Sequence, residues 1–543
     1  MDVFREWGLT AAVFLPLIGV AVMMAFPKTD EAIHKMIALG TSLLVAAIGI
    51  VLLFDFDYDN AGELQWQVTQ RWIDIIDAEY AIGVDGISLP LILLTMLITP
   101  LVIVYSWNHF PEPRNPKAFL ILMLVLHTGM IGTFVARDLV LFFVFFEVVL
   151  LPMFFMIAVW GGEDKRYASL KFFLYTLFGS ALMLVSFLAL YFLAGGETFS
   201  IVGLSEAVQA QGVSRNAQIW IFAGMLLGFG IKVPIFPFHT WLPDAHTQAP
   251  TQGSVILAAV LLKLGTYGFV RISIPILPEG AVFWAPWIGL VAVIGIIYGA
   301  LGCLAQTDMK RLIAFSSVAH MGYVMLGIAT LTDWGINAAI FGMVAHGLIT
   351  GMLFFVAGSI KERYHTLEIK RLGGLLLQAP RMGWILGFIT MASLGLPGLA
   401  GFWGEFPAIL AAYNPANGLP VGLFRAYMII AAIGTVLAAG YLLWLLQRTA
   451  FGTPSEEFEH DDHIVDAHRE EWIAWSPLLV LILLFGLVPG LIFNLTDPAV
   501  DRNLSECFSV PTEDKGSFDV GLCEEQAIET ALSNLGVTSS DEE

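Results

Sequence analysis

Charge is scarce in this chain. Only 13% of its 543 residues are Asp, Glu, Lys or Arg, about half the share usual in a soluble domain. A protein solvated over its whole surface is thereby excluded. Cysteine is scarcer still, with Cys303, Cys507 and Cys523 far apart in the chain. An iron–sulfur cluster takes about four thiolates, so none is expected here. The 26 basic residues form no patch or stripe on which a phosphate backbone could lie. Nucleic acid is therefore not a partner.

What is abundant is hydrophobic surface, 57% of the residues, gathered into runs of about 20, the length a helix needs to cross a bilayer. The runs are continuous rather than alternating, which excludes a β-barrel. Inside lipid each backbone polar group must be satisfied within its own segment, so the runs are helices. The expected fold is an all-α polytopic membrane protein. Its fourteen spans lie near 7–26, 32–54, 85–106, 117–136, 139–160, 168–194, 217–238, 251–272, 283–304, 311–330, 335–360, 383–410, 423–448 and 471–493. The first run ends in Pro27-Lys28 rather than a small-residue cleavage site, so it reads as a retained span.

Lysine and arginine set the orientation. The connections after the odd-numbered spans, with the span ends beside them, hold 16 of the 26 basic residues, among them Lys165, Arg166, Lys310, Arg311, Lys361, Arg363, Lys370 and Arg371. That side is expected to be cytoplasmic, which puts both termini outside. The net charge of −20 is largely a loop and tail property, with eleven acidic groups after residue 500 against Arg502 and Lys515. A solvated or disordered tail is the ordinary meaning of such a run. Cys507 and Cys523 fall in it, either paired as a disulfide or free.

Inside the spans ionisable residues are few. Glu147 sits in LVLFFVFFEVVLLPMFF, Lys232 in MLLGFGIKVPIFPF and Lys263 in SVILAAVLLKLGTYGF. Glu405 closes LGLPGLAGFWGEF, while His320 and His346 lie in VAHMGY and MVAHGLI. A charge at mid-bilayer costs at least ~2.5–3.5 kcal/mol, so each must face a partner, the bundle interior or water. Desolvation lowers the proton affinity of lysine and raises that of a carboxylate, which suits such a set to passing protons. Fixed structural ion pairs would read the same way.

Two spans are visibly interrupted. Lys232 is followed by Pro234 and Pro237, and Glu405 is preceded by Gly395, Pro397, Gly398 and Gly401. Breaks beside buried charges mark ion sites in transporters, although a proline kink alone is the simpler reading of either. The spacing also repeats: Glu147 plus 173 is His320, and Lys232 plus 173 is Glu405. A displacement of five spans inverts topology, which divides the chain into a three-helix region (1–116), a first inverted repeat (117–272) and a second (283–448). An acidic loop with the last span (449–493) and the tail (494–543) follow.

Longer motifs then carry a resemblance. VPIFPFHTWLPDAHTQAPTQGSVILAAVLLKLGTYGFVR (233–271), GLPGLAGFWGEF (395–406), RDLVLFFVFFEVVLLPMFF (137–155), QTDMKRLIAFSSVAHMGYV (306–324) and GVDGISLP in the third span resemble the proton-translocating antiporter-like family. That family includes subunits L, M and N of respiratory complex I, Mrp-type sodium/proton antiporter subunits and membrane subunits of energy-converting hydrogenases. The resemblance covers roughly residues 80–450, and an acid at 405 is similar to the M type (mitochondrial chain 4 type).

The resemblance implies a subunit of a proton-translocating NADH:quinone oxidoreductase that carries proton transfer and no redox centre. It implies no cofactor or metal in the chain. Glu147 and Lys232 would be a coupled pair, Lys263 the bridging lysine and Glu405 the terminal group, with His320 and His346 on the axis between them. The implied partners are L-type and N-type antiporter-like subunits within a lipid bilayer. The bilayer would be a bacterial plasma membrane or, alternatively, an organellar inner membrane.

Overall fold

The computed structural model describes residues 2–107, 109–460 and 464–502. The tail, with Cys507 and Cys523 and the disulfide expected there, lies outside the described residues. Two helices open the chain, α1 (Asp2–Met24) and α2 (Glu31–Asp55), followed by strands β1 (Gln65–Ile73) and β2 (Ala78–Val84). Next come α3 (Leu89–Tyr105), α4 (Pro116–Val135), α5 (Leu139–Val148), α6 (Leu150–Trp160) and α7 (Lys165–Leu193). A short α8 (Ile201–Gln211) leads to α9 (Arg215–Lys232) and α10 (Trp241–Gln248). One continuous helical column runs through α11 (Thr251–Ile256), α12 (Leu262–Gly268) and α13 (Ile274–Ile276), joined by π-helical segments at Leu257–Leu261 and Phe269–Ser273. Then follow α14 (Pro278–Leu304), α15 (Met309–Ala329), α16 (Asp333–Tyr364), α17 (Leu375–Gln378), α18 (Pro380–Ser393) and α19 (Ala400–Ala411). The chain closes with α20 (Val421–Thr449), α21 (Arg469–Leu487) and α22 (Gly490–Val500).

Among the described residues eleven helices are long and apolar enough to cross a membrane. They are α1, α2, α4, the α5–α6 pair, α7, the α11–α13 column, α14, α15, α16, α20 and α21. The third expected span is the shorter α3, and the seventh and twelfth are the interrupted pairs α9–α10 and α18–α19. Apolar side chains such as Leu174, Phe178 and Phe192 on α7 stay exposed around the rim. The α11–α13 column and α16 are the most enclosed of the eleven. The interior of the bundle therefore holds the helices of Lys263 and His346.

Local chemistry explains where the elements begin and break. Asp138 caps α5 by accepting from the amides of Val140 (2.8 Å) and Leu141 (3.0 Å). Asp308 caps α15 through Arg311 N (2.8 Å). After Lys232 the prolines supply no amide, and the chain runs irregularly to α10, with the Trp241 indole donating to Ile231 O (2.9 Å). Gly395 and Gly398 adopt φ of +80° and +93° between α18 and α19, a region that side chains disfavour.

Two features depart from the sequence reading. The seventh segment, expected to end near 238, stops as a helix at Lys232 and resumes as α10. Residues 65–84, read as a plain connection, form an antiparallel hairpin with Thr69 opposite Ala81 and Arg71 opposite Glu79. The hairpin docks through Arg137 N to Ala81 O (2.8 Å). It marks one end of the bundle, the hairpin face; the loops rich in lysine and arginine mark the opposite end, the basic face.

Candidate functional site

The six ionisable residues singled out in the sequence occupy the bundle as two groups. Glu147 is the penultimate residue of α5, half-buried, just before the helix is interrupted at Val149. Lys232 ends α9, is 3% exposed and rests over the Phe146 ring with its ammonium 4.6 Å from the centroid. The carboxylate and the ammonium do not touch, but Glu147 is near enough for its charge to act on Lys232.

The second group is contiguous. Lys263 is fully buried, and its Nζ donates to Ala258 O and meets His346 Nδ1 at 2.7 Å. The Ala258 carbonyl belongs to the π-helical segment, whose wider turn alters the i−4 pattern just before Lys263. The rings of His346 and His320 stand edge to face with centroids 6.2 Å apart. His320 Nδ1 lies 2.5 Å from Glu405 Oε1, and its Nε2 lies 3.2 Å from the Tyr441 hydroxyl and 3.3 Å from the Ser393 hydroxyl.

Beside the two histidines a cavity of about 20 Å³ is lined by His320, His346, Thr350, Ser393 and Glu405 with apolar neighbours. A water needs ~10–15 Å³ and two or more polar partners, so the space suits one. His346 Nε2, buried and without a protein partner, is available to it. The groups thus form a string, Lys263 to His346, then His320 at the edge of its ring, and on to Glu405, with the cavity alongside both histidines.

Close helix contacts hold the string together. A Cβ on Gly404 would come within 2.5 Å of Gly342 Cα, so glycine at 404 lets α19 press its backbone onto α16. At Gly265 a Cβ would stand 2.6 Å from Phe229 O and 3.2 Å from Lys232 Cβ, which brings the helix of Lys263 against that of Lys232.

Several polar residues escaped the sequence reading. His246 on α10 is buried, stacks on Phe354 at 4.4 Å and has neither ring nitrogen bonded. The charges of Lys310 and Lys263 both act on it, and Lys310 itself is buried with its Nζ on Ala249 O. His246 sits at the basic-face end of the α11–α13 column, its carbonyl accepting from Ser254 Oγ (3.2 Å). Its signal was the second half of the interrupted span, a stretch of loop-like composition. Asp244, two residues earlier, is bonded to Lys171 (2.7 Å). Among the described residues no group of three or more His, Cys, Asp or Glu side chains is placed to hold a metal ion.

A many-helix bundle with interrupted spans around a buried line of titratable side chains is the architecture of an ion-translocating membrane subunit. The chain belongs to the NADH:quinone oxidoreductase/Mrp antiporter membrane family, whose pattern matches residues 136–431. Residues 12–133 match the amino terminus of NADH-ubiquinone oxidoreductase chain 4. Subunit M of the NADH-quinone oxidoreductase of Rhodobacter capsulatus is 42% identical, across 91% of this chain and 95% of that one. The subunit M of Rickettsia conorii is 39% identical, across 91% and 98%. A chain of respiratory complex I from Thermus thermophilus superposes with a TM-score of 0.80 at 29% identity, covering 91% of this chain and 99% of its own. The Mrp complex from a Dietzia species shares the fold, with a TM-score of 0.79 at 19% identity over 56% of its chain.

Proposed function

We propose that this chain is the M-type proton-translocating membrane subunit of a complex I-type NADH:quinone oxidoreductase. In this reading the redox chemistry belongs to other subunits, and this chain contributes proton transfer alone. Its division into inverted repeats at 117–272 and 283–448 supplies two half-paths. Glu147 and Lys232 form the first; Lys263, His346, His320 and Glu405 form the second. Protons enter from the basic face, which is the cytoplasmic side, and leave toward the hairpin face. L-type and N-type relatives flank the chain in the bacterial plasma membrane.

The observation that carries the reading is the string from Lys263 to Glu405, in which each transfer spans a hydrogen bond or one water. Its test is His346→Phe in the assembled complex reconstituted in vesicles. The aromatic ring keeps the packing but cannot accept from Lys263, so proton translocation should fall severalfold. An unchanged proton-to-electron ratio would defeat the reading. Exchange of sodium for protons is the competing activity; near full-length identity to subunit M relatives favours the first, and pumping should not change when sodium is replaced by potassium.

A further inference from the structure

Lys263 faces a second direction besides the one toward Glu405. Its own helical column continues to the hairpin face, and Arg271 lies eight residues on, about 12 Å at the helical rise. What occupies that column is a stack on one side of the helix, with Lys263, Tyr267 and Arg271 at four-residue intervals. Tyr267 is fully buried and its hydroxyl donates to Phe134 O (2.8 Å), which fixes the ring across the column. Arg271 lies against that ring, 5.6 Å from its centroid.

Beyond the ring sits a dry cluster of charges. Arg271 is 5% exposed, Arg137 6% and Asp85 1%. Asp85 takes Arg271 Nη2 at 2.6 Å and Arg137 Nη2 at 3.5 Å, and also accepts from the amides of Ile87 (3.2 Å) and Ser88 (3.0 Å). Arg137 further donates to Gly83 O (3.2 Å) and Ser88 Oγ (3.2 Å). Asp138, next to Arg137 in sequence, is engaged elsewhere, capping α5 and accepting from Glu79 N (3.1 Å). Two guanidiniums against one carboxylate leave the cluster a net charge of +1. It closes the gap under the hairpin, where Arg137 N is bonded to Ala81 O.

We propose that Tyr267, Arg271, Arg137 and Asp85 form a seal that denies Lys263 direct release to the hairpin face, so that its proton can leave only sideways through His346. The ring excludes a water column, and the surplus cation repels any proton approaching along it. An isolated pair such as Arg271–Asp85 would fasten the helix equally well but would carry no net charge. The second arginine gives the cluster its directional effect. The inference rests on Lys263 being a proton carrier, and its test separates the two.

The experiment measures passive proton leak into vesicles holding the assembled complex, without substrate, across a series of cluster charges. Arg271→Gln and Arg137→Gln lower the net charge to zero and should raise the leak severalfold. Asp85→Asn raises it to +2 and should stay as tight as the native complex, as should Arg271→Lys. If Arg271→Gln does not assemble, Arg137→Gln decides. Adding Lys263→Ala to a leaking variant should restore tightness, because the leak runs through that lysine. Tight vesicles with both glutamine variants would overturn the seal. So would a leak that persists without Lys263, or one that Asp85→Asn shows equally, since that is loss of packing. Lys263→Ala alone, pumping with the native stoichiometry, would instead defeat the proton-carrier reading and leave a leak through the glutamine variants to be judged by itself.

Discussion

At the scale of single residues, position 405 is the sharpest. Its side chain is 13% exposed, and its carboxylate lies 2.5 Å from His320 Nδ1. Glu405→Gln keeps the shape and loses the titration, so proton translocation should fall by an order of magnitude or more. Glu405→Lys keeps a titratable group but meets His320 as a second cation, and partial activity is expected. Vesicle acidification per NADH oxidised separates the two; equal, native activity in both would show that the position does not titrate. The six residues themselves were legible in sequence because a charge in an apolar run is conspicuous. Their pairing was not. That Lys263 meets His346, and His320 meets Glu405, depends on which helix faces which, and α19 lies on α16 with Gly404 against Gly342 and Gly401 beside Ile349.

At the scale of elements, two contacts on the basic face govern how the helices are fastened. Arg363, near the end of α16, holds Glu471 in the first turn of α21 with bonds of 2.9 and 2.7 Å, both side chains being buried. Glu471→Ala leaves the guanidinium stranded, which costs about 3–5 kcal/mol. Thermal unfolding of the detergent-solubilised complex should register that loss, and paired apolar replacement of both residues should recover most of it. The second contact is titratable. His109, in the connection after α3, lies 2.7 Å from Glu362 at the end of α16. The hydrogen bond to Glu362 raises its proton affinity above the ordinary histidine value, outweighing partial burial. Its contribution is therefore complete below about pH 6.5 and fades as pH climbs through the raised value. Hydrogen exchange of residues 109–116, corrected for intrinsic rate, should rise over that upper range and lose the pH dependence in His109→Ala. The interruptions at spans seven and twelve were readable because proline and glycine act locally. The hairpin was not, because its first strand is largely exposed and rich in polar residues, while its second is short and docks against the bundle through Arg137. The π-helical turns around Lys263 likewise follow from packing and have no residue code.

For the whole molecule, the prediction concerns communication between halves. Lys232 ends the helix that packs on the column of Lys263 at Gly265 and Gly268, which gives the first pair a packed contact, besides charge, through which to influence the second. Lys232→Ala and Glu147→Ala should each depress proton pumping and quinone-linked electron transfer together, because either leaves the other charge without its partner. Full assembly with native rate and stoichiometry in both variants would refute the coupling. Composition alone gave the membrane class. The spacing of 173 residues hinted at an inverted repeat, yet the two halves are built differently in detail. The α5–α6 pair is interrupted beside Glu147, whereas α15 runs unbroken through His320.

On the proposed path, the cavity of about 20 Å³ that His346 and His320 line would set the grain of transport. A channel wet along its length conducts as a pipe does. Here there is room for about one molecule, and after each hand-over it must turn before it can serve again. Traffic along the proposed second half-path would therefore be counted in single reorientations, like passage through a turnstile. A methyl group would be enough to throttle it. Gly342 lines the space, and a Cβ there would stand 3.0 Å from Val324 Cγ2.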